Sequence, residues 1–90
     1  VFHLDRGELL REDRPVHLTE IEIVMLRVLA GRAGTPVSRE ELIREGAIDG
    51  NERAVDVQVT RLRRKMEPNP RAPRYLQTVR GAGYRLRLDP

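Results

Sequence analysis

The sequence predicts a small α+β domain in which a short N-terminal antiparallel sheet precedes three helices and a C-terminal β-hairpin. Helix-capping signals at Thr19 and Ser38 begin two helical patterns, and a third helical pattern runs from 53 to 66. Glycines at 81 and 83 separate two strand-like runs. Ninety residues, 39% of them hydrophobic, suffice for one modest core, so we expect a single domain over 1–90.

Residues 1–18 are predicted to form the N-terminal sheet. Three short apolar pieces alternate with two stretches of turn-forming residues. In chain order these are 1–4, the turn Asp5-Arg6-Gly7, then 9–10, the turn Asp13-Arg14-Pro15, and 16–18. His3 and His17 have no carboxylate or cysteine companions at ligand spacing, so we interpret them as ordinary strand residues.

Residues 19–66 contain three helical patterns, each with a start and a stop signal. Ser or Thr followed three residues later by Glu is a capping box, and Asn is a favourable N-cap. Glycine commonly ends a helix. The predicted starts are Thr19, Ser38 and Asn51, and the predicted stops are Gly31 or Gly34, Gly46, and a proline-rich loop over 67–74.

The third helix, 52–66, is predicted to have two different sides. Winding the sequence at about 100° per residue gathers apolar residues on one side and leaves a basic side opposite. The buried side consists of Val55, Val59, Leu62 and Met66. The exposed side, called the arginine face below, consists of Arg53, Val57, Thr60, Arg61 and Arg64, with Arg63 and Lys65 on the flanks.

Residues 75–88 are predicted to form the C-terminal hairpin. Strand-like runs at 75–79 and 84–88 flank Arg80-Gly81-Ala82-Gly83, in which two glycines can adopt positive φ. A helix, a connection, a basic helix and a hairpin with a basic tip are the parts of a winged helix-turn-helix. The predicted fold is therefore an N-terminal sheet, a three-helix bundle and a wing.

Positive charge is concentrated in the second half of the chain. The net charge is +3, and after residue 52 ten Arg or Lys face three Asp or Glu. Such an excess favours a polyanionic partner, although an ordinary solvated face is the alternative for any one charged helix. Cysteines, metal-binding clusters, nucleophile–base pairs and apolar runs of about 20 residues are all missing, so the sequence predicts no enzyme, cofactor or membrane span.

Four segments together resemble the DNA-binding effector domain of OmpR/PhoB-type response regulators. They are LTEIEIVMLRVLA (18–30), VSREEL (37–42), ERAVDVQVTRLRRKM (52–66) and LQTVRGAGYRL (76–86). The resemblance covers nearly the whole chain and implies that the third helix is a recognition helix and the hairpin a wing. It also implies sequence-specific binding of double-stranded DNA and transcription regulation within a two-component phosphorelay in the bacterial cytoplasm.

The resemblance implies DNA-binding roles for individual positions. The matching positions are Arg53, Thr60, Arg61, Arg63 and Arg64 on the recognition helix and Thr78, Arg80 and Tyr84 on the wing. By side-chain chemistry, Arg61 and Arg64 suit guanine edges and Val57 suits a thymine methyl, although an incidental exposed valine is as plausible. Asp56 would repel phosphate, so we expect it either to pair with a nearby Arg or to be a simple surface carboxylate.

The resemblance further implies partners outside this domain. A receiver domain phosphorylated by a sensor kinase would precede it, and the start at Val1 rather than Met is consistent with a fragment. Two copies would bind direct-repeat half-sites, whereas the isolated domain is expected to be monomeric. The 46–52 loop would contact RNA polymerase, although Ala47 stands where many family members have Trp. The alternative function is a winged helix used mainly for protein–protein contacts.

Overall fold

The computed structural model describes residues 2–3, 8–11, 14–46 and 48–87. Three strands are followed by three helices and two further strands. They are β1 Phe2–His3, β2 Glu8–Arg11, β3 Arg14–Val16, α1 Glu20–Gly31, α2 Arg39–Glu45, α3 Glu52–Met66, β4 Leu76–Val79 and β5 Gly83–Leu86. This order confirms the predicted α+β architecture of sheet, helices and hairpin.

The N-terminal sheet is antiparallel, with strand order β1-β2-β3. The turn predicted at 13–15 is wrong in part, because Arg14 and Pro15 lie in β3, where Pro15 pairs with Leu10. Proline is tolerated there because β3 is an edge strand of this sheet. Of the strand predicted at 16–18, only Val16 belongs to β3, while Leu18 is buried in the core. The predictions for Leu4, Asp5-Arg6-Gly7 and Asp13 lie outside the described residues.

Side-chain caps begin the first two helices. Thr19 Oγ1 accepts a hydrogen bond from the Glu22 amide at 3.3 Å, and Glu22 Oε1 accepts one from the Thr19 amide at 2.8 Å, which confirms the first capping box. Ser38 Oγ likewise accepts from the Glu41 amide at 3.1 Å. The Glu41 carboxylate, however, accepts from the Ser38 hydroxyl and from Arg32. Only half of the second predicted box is therefore formed.

The third helix begins at Glu52, directly after its predicted cap. Asn51 Oδ1 accepts hydrogen bonds from the amides of Arg53 and Ala54 at 3.1 and 3.4 Å, which confirms the predicted cap. The predicted buried side is also confirmed: Val55, Val59 and Leu62 are fully buried, and Met66 packs partly buried against the core. The other elements and the segments between them contribute Leu9, Leu18, Met25, Leu26, Leu29, Val37, Leu42, Ile48, Leu76, Tyr84 and Leu86 to the same core.

The wing is a short antiparallel hairpin that is attached to the helical part of the molecule. Its strands pair from Leu76↔Leu86 to Val79↔Gly83, and residues 80–82 form the turn. The strands are shorter than predicted, because residues 75 and 87 lie outside β4 and β5 and residue 88 lies outside the described part. Val37 forms a bridge with Tyr84 through two backbone hydrogen bonds of 2.7 and 2.9 Å.

Both glycines of the wing adopt positive φ, 78° at Gly81 and 133° at Gly83, as predicted. They differ in what surrounds them. A Cβ at Gly83 would lie 2.1 Å from the carbonyl oxygen of Val37, whereas a Cβ at Gly81 would meet no atom within 4 Å. Glycine is therefore required at 83 by the protein's own backbone, and at 81 by the conformation of the turn.

Glu67 is a buried carboxylate immediately after α3, with 0% of its surface exposed. Its oxygens accept hydrogen bonds from the backbone amides of Arg74, Tyr75 and Leu76 at 2.7–3.2 Å. Sequence reasoning placed 67–74 only in a proline-rich loop. The carboxylate closes this loop and joins the end of α3 to the beginning of β4.

Glu22 is a second buried carboxylate, 1% exposed, on α1. Its Oε1 lies 2.5 Å from Lys65 Nζ of α3. Burial alone would raise the pKa of Glu22, but hydrogen bonds from Lys65 and Thr19 together with the Lys65 charge outweigh burial and hold the pKa below its usual value of 4.5. The ion pair therefore ties α1 to α3 as long as Glu22 is ionised.

Glu67→Ala should lower the free energy of unfolding by about 3 kcal/mol, because it leaves three backbone amides without their acceptor. Glu67→Gln should be intermediate, since one amide oxygen can still accept while the NH₂ group faces other donors. Urea unfolding at neutral pH measures both. Glu40→Ala, which removes an exposed carboxylate of α2, is the matched control. Equal losses for Glu67→Ala and Glu40→Ala would contradict the assignment.

Stability should fall at acid pH in a way that depends on Glu22. Because its folded-state pKa is lowered, its contribution is fully present above the usual value of 4.5 and is lost as pH falls through the folded-state pKa. Between about pH 5 and pH 3 the urea midpoint of Glu22→Gln should therefore drop less than that of the native domain. Glu20→Gln, in the same helical turn, is the control. A native-like drop in Glu22→Gln would count against this role.

Candidate nucleic-acid interface

The arginine face of α3 is exposed along its whole length. Within the described part of the chain, the side chains of Arg53, Arg61 and Arg64 form no hydrogen bond or ion pair with another residue. Val57 lies among them with 44% of its surface exposed. Together with Thr60 and Asp56 these residues line one shallow, open depression. The structure therefore presents unpaired guanidinium groups around an exposed apolar side chain.

Thr60 belongs to this face but has its hydroxyl proton engaged. Its Oγ1 donates to the Asp56 carbonyl oxygen, one turn earlier in α3, at 2.9 Å. The proton of this hydroxyl is therefore not available to an external acceptor. The contact between Thr60 and a phosphate that the resemblance implies would therefore need the hydroxyl to rotate away from α3.

Arg63, on the flank of α3, connects the helix to the wing. Its Nε donates to the Leu76 carbonyl oxygen at 3.0 Å, and its Nη2 donates to Thr78 Oγ1 at 2.9 Å. The guanidinium group is thus engaged by β4 and supports the wing, while the DNA contact implied for Arg63 stays a prediction. Thr78 acts as acceptor in this bond, so its own hydroxyl proton remains available at the exposed surface.

Asp56 is paired with an arginine, as one of the two expectations for this residue had it. It is not a simple surface carboxylate. The partner is Arg39, the first residue of α2, whose Nε lies 2.7 Å from Asp56 Oδ1. The same oxygen accepts a hydrogen bond from the Tyr84 hydroxyl of β5. Burial would raise the pKa of Asp56, but Tyr84, Arg39 and the Arg63 charge outweigh burial and lower it. The carboxylate is thus ionised and neutralised within the protein.

Tyr84, which the resemblance places among the DNA contacts, lies in the core. It is 4% exposed, and its hydroxyl donates to Asp56 rather than pointing to solvent. Burial and the Asp56 hydrogen bond raise its pKa, so the hydroxyl keeps its proton. The guanidinium carbons of Arg39 and Arg63 lie 5.5 and 5.6 Å from the ring centroid, at cation–π distance. These contacts hold Tyr84 within the protein, and the phosphate contact implied for it stays a prediction.

Arg80 lies at the first position of the wing turn and is exposed. Its side chain has no hydrogen-bonding or ionic partner among residues 2–3, 8–11, 14–46 and 48–87. A hydrogen bond from the Ala82 amide to the Val79 carbonyl oxygen, 2.9 Å long, closes the turn behind it. The wing therefore ends in a free guanidinium group on a short, closed loop.

Arg39 was missed by the sequence analysis. Its only local signal is its place at the first turn of α2, and nothing in the spacing of charges connects it with Asp56, seventeen residues later.

No helix in the described ranges is long and apolar enough to cross a membrane. The same residues contain no cluster of His, Asp and Glu that could hold a metal ion. Ala47, where the resemblance pointed to a missing Trp, lies outside the described residues.

Residues 13–86 match the protein family described as the C-terminal domain of transcriptional regulatory proteins. This match extends over the helices, the wing and the site described above. The chain belongs to this family. Its members are DNA-binding transcription regulators rather than a class of enzymes.

Individual relatives agree with this assignment to the transcriptional regulatory C-terminal family. Protein PetR of Rhodobacter capsulatus is 53% identical, over 98% of this chain and 40% of its own length. Response regulator DrrB of Thermotoga maritima, an OmpR/PhoB homologue, is 35% identical with a TM-score of 0.78, covering 84% of this chain and 36% of that one. The RstA DNA-binding domain of Klebsiella pneumoniae, solved in complex with the RstA box, is 32% identical with a TM-score of 0.78, covering 89% and 82%. The winged-helix fold of the OmpR/PhoB type is thereby confirmed.

Two neighbouring arginines of α3 should differ in what they contribute to stability. Arg63→Ala should lower the free energy of unfolding by about 1–2 kcal/mol, because it removes two hydrogen bonds to β4 and a cation–π contact. Arg64→Ala removes the same charge from an exposed position and should change it by less than about 0.5 kcal/mol. Thermal unfolding at constant salt measures both. Indistinguishable midpoints for the two variants would refute the assignment of Arg63 to positioning.

Proposed function

We propose that this domain binds double-stranded DNA sequence-specifically, with α3 in the major groove, and thereby regulates transcription as the effector domain of a two-component response regulator. The observation that carries the proposal is the arginine face. Its guanidinium groups are exposed and unpaired within the described chain, while the opposite side of the helix is fixed in the core. Phosphate neutralisation and base recognition need exposed donors on a rigid element.

The arginine face has the composition that major-groove recognition requires. The groove is about 12 Å wide and admits one helix. Arg61 and Arg64 lie one turn apart and are suited to guanine edges, since an Arg fork can hold O6 and N7 together. Val57 lies one turn before Arg61 and is suited to a thymine methyl group. Arg53, next to the N-terminus of α3, is suited to a phosphate, and Thr60 could reach a second phosphate by rotating its hydroxyl.

The wing extends the proposed contact to the adjacent minor groove. Arg80 projects from the turn without a partner in the described structure, and a narrow minor groove attracts such a side chain by its negative potential. Thr78 still has a hydroxyl proton to donate to a phosphate. Readout at this position would be limited mainly to A·T against G·C pairs. Arg63 and Tyr84 would support these contacts from behind.

The relatives support DNA as the partner. The RstA DNA-binding domain was solved in complex with the RstA box, and its match covers 89% of this chain, which favours the same use of the fold here. The alternative, a winged helix used mainly for protein contacts, has no comparable observation in its favour. It would leave the arginine face to an acidic protein surface. Selection of bound duplexes from a random pool separates the two functions, because only the DNA-binding function yields a preferred duplex.

This chain spans about two fifths of the length of PetR. Control by phosphorylation and assembly on DNA are therefore proposed for the longer protein. We infer that a receiver domain, phosphorylated by a sensor kinase, controls this domain in the bacterial cytoplasm. Two copies would occupy direct-repeat half-sites, while the isolated domain is monomeric. The 46–52 loop would provide a contact for RNA polymerase. These inferences follow from the OmpR/PhoB membership, not from a contact seen in this chain.

Selection of bound duplexes from a random pool should yield a preferred site. For that duplex we expect Arg61→Ala and Arg64→Ala each to weaken binding by roughly 1 to 3 kcal/mol and, where the lost contact is to phosphate, to reduce the slope of log K against log salt by about 1. Arg14→Ala, an exposed arginine of β3, is the matched control and should leave site preference unchanged. A native domain that prefers no duplex over random DNA would refute the proposal.

A further inference from the structure

The recognition helix α3 holds the wing at two separate points. Asp56 accepts a hydrogen bond from the Tyr84 hydroxyl on β5. Seven residues later, Arg63 donates to Leu76 and Thr78 on β4. Seven residues are about two helical turns, or roughly 10 Å along the helix axis. Each strand of the hairpin is therefore bonded to a different turn of the same helix.

Arg39 brings a third element to the first of these points. Its Nε is bonded to the Asp56 oxygen that also receives the Tyr84 hydroxyl, and its guanidinium group lies over the Tyr84 ring. The Arg63 guanidinium lies over the same ring at 5.6 Å. Tyr84 thus contacts both attachment points at once. We call Arg39, Asp56, Arg63 and Tyr84 the helix–wing joint.

We propose that the helix–wing joint sets the distance and orientation between the arginine face and Arg80, so that major-groove and minor-groove contacts are made as one unit. This inference rests on the function proposed above. In it, none of the joint residues has to touch DNA. Their role is to position Arg80, which lies four residues before Tyr84 at the free end of the hairpin.

A hairpin needs such an attachment in order to present one side chain accurately. An isolated two-stranded hairpin is marginally stable in water, and β4 and β5 pair over only four residues each. Attachment at a single point would leave the wing free to pivot about that point. Attachment at two points, together with the Val37 bridge to β5, removes this freedom before binding. Less conformational entropy of the wing is then lost when Arg80 contacts DNA.

The burial of Tyr84 supports positioning over direct contact. Tyr84 is 4% exposed, and its hydroxyl donates to the Asp56 carboxylate, whose side chain is 43% exposed. The hydroxyl proton is already engaged, so a phosphate would have to compete with Asp56 for it. The exposed side chains beyond the joint, Thr78 and Arg80, have no such neighbour in the described bonds. Any effect of Tyr84 on DNA binding should therefore act through them.

A double-mutant cycle between Tyr84→Phe and Arg80→Ala tests the proposal on the selected duplex. Tyr84→Phe removes only the hydroxyl and keeps the ring beneath the two guanidinium groups. We expect the Kd penalty of Arg80→Ala to shrink by at least about threefold in the Tyr84→Phe background, because a mispositioned Arg80 has less contact to lose. The penalty of Arg61→Ala should be the same in both backgrounds, since Arg61 lies on α3 itself.

Tyr84→Phe should also relax the preference for A·T or G·C pairs at the minor-groove flank, while the preference at major-groove positions is retained. Thermal unfolding identifies a variant that no longer folds. In that case Arg39→Gln, on a partly exposed side chain, loosens the same joint and should couple to Arg80→Ala in the same direction.

Additive effects of Tyr84→Phe and Arg80→Ala, with both variants folded, would overturn the inference and would favour a direct phosphate contact by the Tyr84 hydroxyl. Equal coupling of Tyr84→Phe to Arg61→Ala and to Arg80→Ala would also overturn it, since that result indicates a general loosening of the domain. A native domain without duplex preference would overturn the proposed function and this inference together. Additivity in a duplex-selective native domain would overturn this inference alone.

Discussion

The buried side of α3 is the constraint on which the rest of the structure depends. Val55, Val59 and Leu62 are fully buried and repeat at intervals of four and three residues, so only one rotation of the helix about its axis satisfies all of them. Rotating the helix would expose them at roughly 1.5–3 kcal/mol for each side chain. The direction in which Arg61 and Arg64 point is therefore decided by packing on the opposite side. Recognition geometry is a consequence of the core.

The second constraint concerns the sign of the charge near that helix. The chain has seventeen Arg and Lys against fourteen Asp and Glu, a small excess for binding a polyanion. Three carboxylates on or beside α3 are, however, engaged internally, while Glu52 at its N-terminus is exposed. Asp56 is held by Arg39 and Tyr84, Glu22 by Lys65, and Glu67 by three backbone amides. Beyond Glu52, the fully exposed charged side chains of α3 are all arginines, so a modest net charge becomes a strongly positive face.

Most of the fold could be predicted because its signals are local. Caps, apolar spacing and wing glycines each report on one element. The missed contacts join residues far apart in the chain: 17 residues for Arg39 and Asp56, 28 for Asp56 and Tyr84, and 43 for Glu22 and Lys65. No spacing within one element carries that information. The burial of Tyr84 agrees with the alternation along β5, in which Tyr84 and Leu86 are buried and Arg85 between them is partly exposed.

The structure separates two kinds of position within one helix. Arg53, Val57, Arg61 and Arg64 contribute little to the packing that stabilises α3, since their side chains are exposed and unpaired in the described chain. Substitutions there can alter which partner is recognised without a large change in folding. Asp56 and Arg63 are different, because each bonds the helix to the wing. A change at either one alters the support of the recognition surface, so specificity can vary on the arginine face only while the joint behind it is kept.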